Sequence, residues 1–192
     1  MSLIDACKAG DLKEVIKLIE KGADIAADNN YALRRACKTG HLELAQWIWS
    51  LRGKVGRSQS LMNGIDITAQ NNYAFRETCK NGHLEAAQWI WSLRTEVKGI
   101  DITAEDNYAI RWSCANGHLE LAQWIWSLRD VVDGIDITVD DNEALQGACN
   151  GDHLEVVKWL LDLIPEDAIT EVPDGEYSEE IINMIKLHIR CK

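Results

Sequence analysis

A twenty-residue stretch occurs three times in this chain with few changes, and this repetition constrains the fold more than any other feature. The copies are ALRRACKTGHLELAQWIWSL at 32–51, AFRETCKNGHLEAAQWIWSL at 74–93 and AIRWSCANGHLELAQWIWSL at 109–128. A weaker copy occupies 144–163, and a degenerate one opens the chain. Each copy has two short apolar-patterned segments separated by a turn that contains glycine. Self-similarity at a period of tens of residues predicts a solenoid of repeated units.

A shorter motif follows each copy and completes the repeat. It is GADI or GIDI, and it stands at 22–25, 64–67, 99–102 and 134–137. Measured on a recurring cysteine, the period is 30 residues from Cys7 to Cys37, 42 from Cys37 to Cys79, and 35 for each of the next two intervals. Because the entropy of closing a loop grows slowly with its length, the longer spacer in the second interval does not interrupt the repeat.

Together these two motifs resemble the ankyrin repeat. The residues that carry the resemblance are GHLE at 40–43, 82–85 and 117–120, with the GADI or GIDI motif. The likeness spans about residues 1–164. It implies an all-α ankyrin-repeat solenoid of about five helix-turn-helix units, with short finger hairpins and a C-terminal capping helix.

The chain also departs from the family pattern. The usual Thr-Pro-Leu-His at the start of the first helix is replaced by Tyr31-Ala32-Leu33-Arg34 and its equivalents. The finger is shorter than in the family, and the second helix carries Trp-Ile-Trp ahead of a longer spacer. This last feature resembles a variant found in giant viruses of amoebae.

We expect a single ankyrin-repeat domain over 1–192, because each unit of a repeat array contacts its neighbours in one continuous stack. Its predicted parts are an N-terminal capping repeat at 1–28, repeats at 29–70, 71–105, 106–140 and 141–165, and a C-terminal cap at 166–192.

Both ends of the array carry the features of caps. In the first repeat, Glu14 and Lys17 replace apolar residues of the later second helices, which makes one flank wettable, as a terminal repeat requires. Near the other end, Ser178 can N-cap a helix over about 179–190 whose isoleucines would cover the last repeat. We therefore expect the array to be complete.

Charge and hydropathy narrow the classes of partner. The net charge of −11 argues against nucleic acid or an anionic membrane as the main partner. No apolar run approaches the ~18 residues that cross a bilayer. Met1 leads directly into the first repeat without the pattern of a secretory signal. We expect a cytoplasmic or nuclear protein, in the host cell cytoplasm if the viral resemblance reflects its origin.

Five cysteines occupy one repeat position and are predicted to be reduced core thiols. They are Cys7, Cys37, Cys79, Cys114 and Cys149. Equivalent positions in stacked repeats lie a helix-packing distance of ~10 Å apart, whereas a disulfide needs Cα atoms within about 7 Å. Each cysteine is expected to act as a small hydrophobe.

A histidine follows four of these cysteines at a spacing of four residues, which raises the question of a zinc site. Zinc needs four converging ligands, but here the cysteine points into the helix pair and the histidine begins the next helix. The first repeat has Asp11 in place of the histidine, a good N-cap residue. We therefore predict helix capping and turn hydrogen bonding by His41, His83, His118 and His153, with no metal, no cofactor and no catalytic residues.

The tryptophans are predicted to serve two roles. Seven occupy second-helix positions where the family packs aliphatic residues, and we expect them in the core between repeats: Trp47, Trp49, Trp89, Trp91, Trp124, Trp126 and Trp159. Trp112 differs, because its column holds Asp, Arg, Glu, Trp and Gly in successive repeats, as expected for a surface position. Trp112 is either a binding anchor or a cover for Tyr108 or another neighbour.

The resemblance places the partner surface on the finger tips and the exposed side of the first helices, which line a concave face in the family. The candidate partner-binding residues are Asp28, Asn29, Arg35, Lys38, Gln70, Asn71, Glu77, Lys80, Glu105, Asp106, Trp112, Asp140 and Asp141. The N-terminal half of this face is basic and the C-terminal fingers are acidic. Such a gradient favours a partner segment of opposite polarity; the alternative is that the charges only solvate the face.

Two further features each allow two interpretations. The column Arg34, Arg76 and Arg111 either forms a structural ladder to finger aspartates and carbonyls or captures an acidic ligand. The basic spacer Arg52–Gly64 is either a plain mobile loop or a partner or phosphorylation site around Ser58 and Ser60.

These observations predict a non-catalytic protein–protein interaction module that binds an unknown protein partner and is a monomer. The alternative is a structural or assembly protein that self-associates through surface aromatics. A more distant possibility is an enzyme or a ubiquitin-ligase adaptor, although no catalytic or adaptor domain flanks the array in the sequence.

Overall fold

The computed structural model describes residues 1–52, 64–165, 168–169, 171–172, 175 and 177–190. The chain divides into two compact units, Met1–Ile102 and Thr103–Lys192, which are described in turn. The described residues form α-helices and short 3-10 turns and include no strand. The predicted spacer between Arg52 and Gly64 falls almost entirely outside the described residues.

The first unit contains three pairs of helices. They are α1 (Leu3–Ala9) with α2 (Leu12–Glu20), α3 (Ala27–Lys38) with α4 (Leu42–Ser50), and α5 (Ala69–Lys80) with α6 (Leu84–Ser92). Within each pair the two helices pack against each other, and the first helices α1, α3 and α5 pack side by side in that order. A 3-10 turn at Leu93–Thr95 follows α6.

The second unit contains two pairs and one further helix. The pairs are α7 (Ala104–Ala115) with α8 (Leu119–Ser127), and α9 (Val139–Asn150) with α10 (Leu154–Leu163), and the last helix is α11 (Glu179–Arg190). Helix α7 packs against α9, and α11 packs against α10. Two inward-facing isoleucines of α11, Ile181 and Ile185, are fully buried. The predicted C-terminal lid is therefore confirmed.

Small side chains explain the close packing of the first helices. An Ala-Cys pair recurs there at Ala6-Cys7 and Ala36-Cys37, and all four residues are fully buried. At Gly147 of α9, an added Cβ would lie 2.5 Å from the Cβ of Ala115 in α7, so this approach tolerates no side chain. Close contact excludes water from the interior and gains dispersion energy over many atoms.

A left-handed turn opens α3, α5, α7 and α9, at the positions where the sequence predicted the short finger hairpins. Three consecutive residues in each turn have positive φ, at 28–30, 70–72, 105–107 and 140–142. We call these four segments the left-handed turns. None of the twelve residues is glycine; ten are Asn or Asp, the L-residues that enter this region at least cost. The predicted repeat starts at 29, 71, 106 and 141 fall inside these turns.

An aspartate fixes the chain just before the left-handed turns. The Oδ1 of Asp66 accepts from the backbone N of Thr68 at 2.8 Å and from its Oγ1 at 2.7 Å. Asp136 binds Thr138 in the same way, at 2.7 Å for both bonds. The Asp-Ile-Thr part of the GIDIT sequence is therefore a local turn of the kind that Asp side chains stabilise.

The second helices bury less tryptophan than predicted. Of the seven tryptophans assigned to the core, only Trp49 is buried, at 6% exposure, and the other six are half-buried. Arginine covers part of this aromatic surface: the guanidinium carbons of Arg52, Arg94 and Arg129 lie 4.2, 4.6 and 5.0 Å from the ring centroids of the tryptophans three residues earlier. Of the tryptophans predicted for the core between repeats, Trp49 is therefore buried and the other six are covered only in part.

The recurring cysteines are free and buried, as predicted. Burial raises the pKa of Cys7 and Cys149 to about 11, that of Cys37 and Cys114 to about 12, and that of Cys79 well above its ordinary value. The thiolate is the reactive form. Folding therefore makes these five thiols poor nucleophiles near neutral pH.

We expect a thiol reagent to modify these five cysteines in the native protein only as fast as the chain opens. The measurement is Ellman's reagent at mildly alkaline pH on a variant in which the sixth cysteine of the sequence is replaced, Cys191→Ser, with urea-unfolded protein as the control that should react at once. A fast-reacting thiol in the native state would contradict the assignment.

Because the folded thiol pKa lies above the unfolded value of 9.0, the free energy of unfolding should fall as pH rises from there toward about 11.

Candidate functional site

The arginines that follow the left-handed turns hold the turns in place. Arg34 donates from Nε to the carbonyl of Asn29 at 2.8 Å and from Nη2 to the carbonyl of Asp28 at 2.9 Å. Arg76 does the same to Asn71 and Gln70, at 2.8 and 3.2 Å. The guanidinium fork thereby satisfies carbonyls that a left-handed turn leaves outside a helix. These bonds from Arg34 and Arg76 to carbonyl groups support the interpretation of the arginine column as a structural ladder.

The third residue of each left-handed turn is an asparagine that bridges to the following loop. Asn72 donates from Nδ2 to the carbonyl of Gly99 at 3.1 Å and accepts at Oδ1 from the backbone N of Asp101 at 3.2 Å. Asn107 makes the equivalent pair to Gly134 and Asp136, at 3.0 and 3.2 Å. These two side chains are 6% and 7% exposed. Each therefore ties one repeat to the next through the interior.

The sequence-based interpretation missed this asparagine bridge. The signal was present: Asn30, Asn72, Asn107 and Asn142 are identical at a position whose two preceding neighbours vary. Asn30 accepts from the backbone N of Asp66 at 3.1 Å, and Asn142 donates to the carbonyl of Ala168 at 3.1 Å. Identity within an otherwise variable tip indicates a buried role.

His41 and His83 connect repeats and do not cap their own helices, so the capping part of the prediction was wrong. His41 and His83 stand at N-cap positions but make no side-chain capping bond. Instead, Nε2 of His41 lies 3.0 Å from the carbonyl O of Lys8, and that of His83 lies 3.1 Å from the carbonyl O of Lys38. Since a carbonyl only accepts, the proton is on Nε2. Asp11, by contrast, caps α2 as predicted, accepting from the backbone N of Glu14 at 3.0 Å.

Among the candidate residues of the first unit, the turn residues face solvent and the helix residues are more buried. Asp28, Asn29, Gln70 and Asn71 are exposed, and Arg35, Lys38 and Lys80 are half-buried. The prediction that the column of Glu77 faces solvent was wrong for Glu77, which is buried. Its side chain is 9% exposed and pairs with Lys38 at 2.5 Å, which raises the pKa of Lys38.

In the second unit, the candidate turn residues are all exposed and all acidic. They are Glu105, Asp106, Asp140 and Asp141. Trp112 is half-buried and contacts Tyr108, with ring centroids 5.6 Å apart and planes tilted by 35°. The contact with Tyr108 predicted as one of two roles for Trp112 is therefore present.

A groove lies beside Trp112 between α7 and α9. Its volume is about 440 Å³, and we call it the Trp112 groove. It is lined by Arg111, Trp112, Ala115, Glu143, Gln146, Gly147, Asn150 and Gly151. Gly147 and Gly151 have no side chain, whereas the equivalent positions of the three preceding repeats carry one. The groove joins one aromatic wall to polar groups, a combination typical of binding sites.

Arg111 lies at the edge of this groove and differs from Arg34 and Arg76. It keeps one turn contact, from Nη2 to the carbonyl of Glu105 at 3.0 Å. Its Nη1 donates to Asp140 at 2.7 Å and also to Glu143, both on or next to α9. Its Nε is buried without a hydrogen-bond partner among the described residues. Arg111 has thus exchanged a backbone contact for two carboxylates, and its positive charge is fully neutralised.

A second cavity, of about 530 Å³, lies between α10 and α11. Its apolar lining includes Leu161, Met184 and Leu187, and Leu187 is 66% exposed. This surface carries none of the predicted site residues. Leu187 is the exposed large apolar side chain of α11 among the described residues.

Across the described ranges, no group of three or more His, Cys, Asp or Glu side chains is placed to hold a metal ion. In the same ranges, no helix combines the length and apolar character required to cross a membrane.

Comparison with family models gives no match, and neither does comparison with curated protein sequences. Among solved structures, the chain is similar to the crystal structure of the human ASB11 ankyrin repeat domain, with a TM-score of 0.64 and 19% sequence identity. The alignment covers 98% of this chain and 83% of that chain. The likeness does not bear on the resemblance to giant-virus proteins, which stays a prediction. Five helix pairs and this structural match together show that the chain has the ankyrin-repeat fold.

Proposed function

We propose that this protein is a non-catalytic interaction module that binds a protein partner through its first helices and left-handed turns. The Trp112 groove is the observation that carries the proposal. It places a half-buried aromatic ring in a groove of the second unit, whose turns at 105–107 and 140–142 also present exposed residues. Buried aromatic anchors surrounded by polar residues supply most of the energy of protein interfaces.

The pattern of constant and variable residues supports this proposal. All four left-handed turns share nearly the same backbone angles and the same bridging asparagine. The two residues before that asparagine are Asp-Asn, Gln-Asn, Glu-Asp and Asp-Asp in turn, and all eight are exposed. Since the backbone does not require these differences, they are available to recognise a ligand. A function that resides in side chains displayed on a common fold is the expected arrangement.

The predicted setting of this module is the cytoplasm or nucleus, in the host cell if the viral resemblance reflects a viral origin. Net charge argues for a protein partner over nucleic acid. We also retain the prediction of one domain over residues 1–192 that acts as a monomer.

A second candidate function is self-association. It is favoured by the exposed Leu187, which with Met184 lines the cavity between α10 and α11. Light scattering over a range of concentrations separates the two: a constant monomer mass would remove this candidate.

Site-specific photo-crosslinking tests the proposed function. A photoreactive phenylalanine derivative replaces Trp112, and the matched control carries it at Gln123, an exposed position on α8 of the same unit. We expect an adduct with another protein from position 112 in cell lysate, and little or none from position 123. Equal labelling from both positions, or an adduct with a second copy of this chain alone, would overturn the proposal.

A further inference from the structure

The last helix carries more apolar surface than its buried isoleucines account for. Helix α11 packs against α10, and its Ile181 and Ile185 are fully buried. Leu187 is 66% exposed on the same helix and, with Met184, lines the cavity of about 530 Å³ between α10 and α11. A single exposed leucine is ordinary on a protein surface. Leu187, however, extends a continuous apolar lining, which is the kind of surface that marks an interaction site.

Helix α10 differs from α4, α6 and α8 at positions that line this cavity. Leu161 stands where those three helices have a tryptophan that an arginine covers, and Ile164 replaces that arginine. Three polar positions read Glu, Gln and Ser in α4, α6 and α8. In α10 they are Glu155, Lys158 and Asp162. This helix therefore has a smaller apolar side chain beside the cavity and charged residues at two positions that are neutral elsewhere.

Acids outnumber bases around the cavity. An adjoining depression of about 540 Å³ shares Met184 and Leu187 with it, and we call the two together the α10–α11 groove. Its charged lining residues are all exposed: Glu155, Lys158, Asp162, Glu179 and Glu180. Four acids and one base give this rim a net charge of −3, and none of the described ion pairs includes any of the five. The rim therefore complements a ligand with positive charges.

One buried polar atom in the groove has no hydrogen-bond partner. His188 lines the cavity, and its Nε2 is buried and makes no hydrogen bond with any described residue. Buried nitrogen and oxygen atoms in folded proteins normally have such a partner. An imidazole nitrogen donates or accepts according to its tautomer. A ligand that brings one polar group into the groove would satisfy this atom.

The lining suits a helix better than an extended segment. Leu161, Met184 and Leu187 offer no hydrogen bonds to a peptide backbone. An extended peptide would leave its N–H and C=O groups unsatisfied there, whereas a helix pairs them internally. On α11 the lining runs from Glu179 to His188, a length of about 14 Å along the helix axis. A second helix can match this length with apolar residues at positions i, i+3, i+4 and i+7.

We propose that the α10–α11 groove binds an amphipathic helix of a partner protein, with its apolar stripe against Leu161, Met184 and Leu187 and with lysine or arginine beside the stripe. This site shares no residue with the Trp112 groove and goes beyond the proposed function. A second copy of this chain is a poorer occupant, because it would bring two negative rims together and each chain has a net charge of −11. An anionic membrane is disfavoured for the same reason.

Selection from displayed peptides on the full-length protein tests the chemistry of the occupant. The first library contains helical peptides of about 18 residues, long enough to form a helix, with leucine at i, i+3, i+4 and i+7. Lysine, glutamine or glutamate is drawn at random beside the leucines. A second library has the same composition but leucine at alternate positions, the pattern of a strand. We expect enrichment from the first library, with lysine favoured beside the leucines.

A matched pair of single variants shows whether the enriched peptides occupy the groove. Leu187→Ser removes its exposed leucine. Val131→Ser is the control, because Val131 is 75% exposed in the same unit and does not line the groove. Measured by fluorescence anisotropy, Leu187→Ser should weaken an enriched peptide by about tenfold or more, the effect of leaving most of a leucine side chain uncovered. Val131→Ser should change its affinity little.

A matched pair of triple variants separates the rim from net charge. Glu155→Gln, Asp162→Asn and Glu180→Gln remove three acids of the rim. The control removes three exposed acids of the same unit outside the groove: Asp106→Asn, Asp130→Asn and Asp133→Asn. Both variants change the net charge equally. We expect a loss of about 3- to 30-fold for the rim variant, as for three exposed ion pairs, and a smaller loss for the control.

Several results would overturn this inference. Enrichment of the alternating library, or of glutamate beside the leucines, would contradict the helix or its charge. The absence of clones that prefer the wild type over Leu187→Ser would show that the groove is not used, and equal losses in the two triple variants would leave only net charge. Dimerisation, or co-sedimentation with phosphatidylserine vesicles, that Leu187→Ser abolishes would assign the groove to a second copy or to a membrane.

Discussion

Replacing Asn107 with alanine is expected to lower the free energy of unfolding by about 2–4 kcal/mol. The substitution leaves the carbonyl of Gly134 and the amide of Asp136 without the partner that bridges them. It also places alanine at φ 60°, where a residue without a local polar group is strained. Because Asn107 is only 7% exposed, water cannot readily take over these bonds. Urea denaturation followed by circular dichroism measures the effect.

Two further variants divide the Asn107 effect into its causes. Asn29→Ala makes the same substitution in the same backbone conformation but at an exposed position, so it should cost only the strain of about 1–2 kcal/mol. Asn107→Gly removes the bridge but tolerates positive φ, so its cost should come from the lost hydrogen bonds. If Asn107→Ala and Asn29→Ala cost the same, the bridge contributes nothing to stability.

The helices and their order could be predicted from the sequence, but the left-handed turns could not. Helices follow from apolar periodicity, turn glycines and caps such as Ser178, which binds the backbone N of Ile181. A run of three left-handed residues produces no periodic signal. Asp28 and Asn29 are exposed and Asn30 is buried, yet all three are polar. Residue type alone therefore did not distinguish the exposed Asp28 and Asn29 from the buried bridging Asn30.

Position along a helix also misled the interpretation of the histidines. His41 and His83 occupy the N-cap position that Asp11 uses for capping, so a shared role was the simplest inference. Their hydrogen-bond acceptors lie in the preceding repeat, 33 and 45 residues earlier. Because these separations follow the unequal repeat periods of 30 and 42 residues, no fixed spacing in the sequence reveals the contact.

Variability within a repeat column does not guarantee exposure. Glu77 and Trp112 share a column, and the interpretation of both as surface residues rested on that column's diversity. The structure buries Glu77, because Lys38 of the preceding repeat supplies a charged partner. Trp112 instead lines the groove between α7 and α9. The neighbouring repeat decides which of these variable positions is available to a ligand.

Replacing Gly40 with alanine is expected to lower the free energy of unfolding by about 2–5 kcal/mol, the sum of left-handed strain and overpacking. Gly40 has φ of +73°, and an added Cβ would lie 2.5 Å from Nδ1 and 2.6 Å from Cε1 of His83. The ring cannot simply move away, because its Nε2 is bound to the carbonyl of Lys38. Chemical denaturation of the purified variant measures the loss.

Two controls isolate the contact between Gly40 and the histidine ring. Gly22→Ala imposes strain alone, since Gly22 has φ of +96° and no atom lies within 4 Å of the added Cβ. In a His83→Ala background, Gly40→Ala should cost about as much as Gly22→Ala, because the ring that it strikes is gone. If the full cost persists without His83, the glycine is required by backbone conformation only. A lower cost in that background would instead establish that the Gly–His contact stabilises the packing of successive repeats. That role would explain why the two residues recur together in this chain.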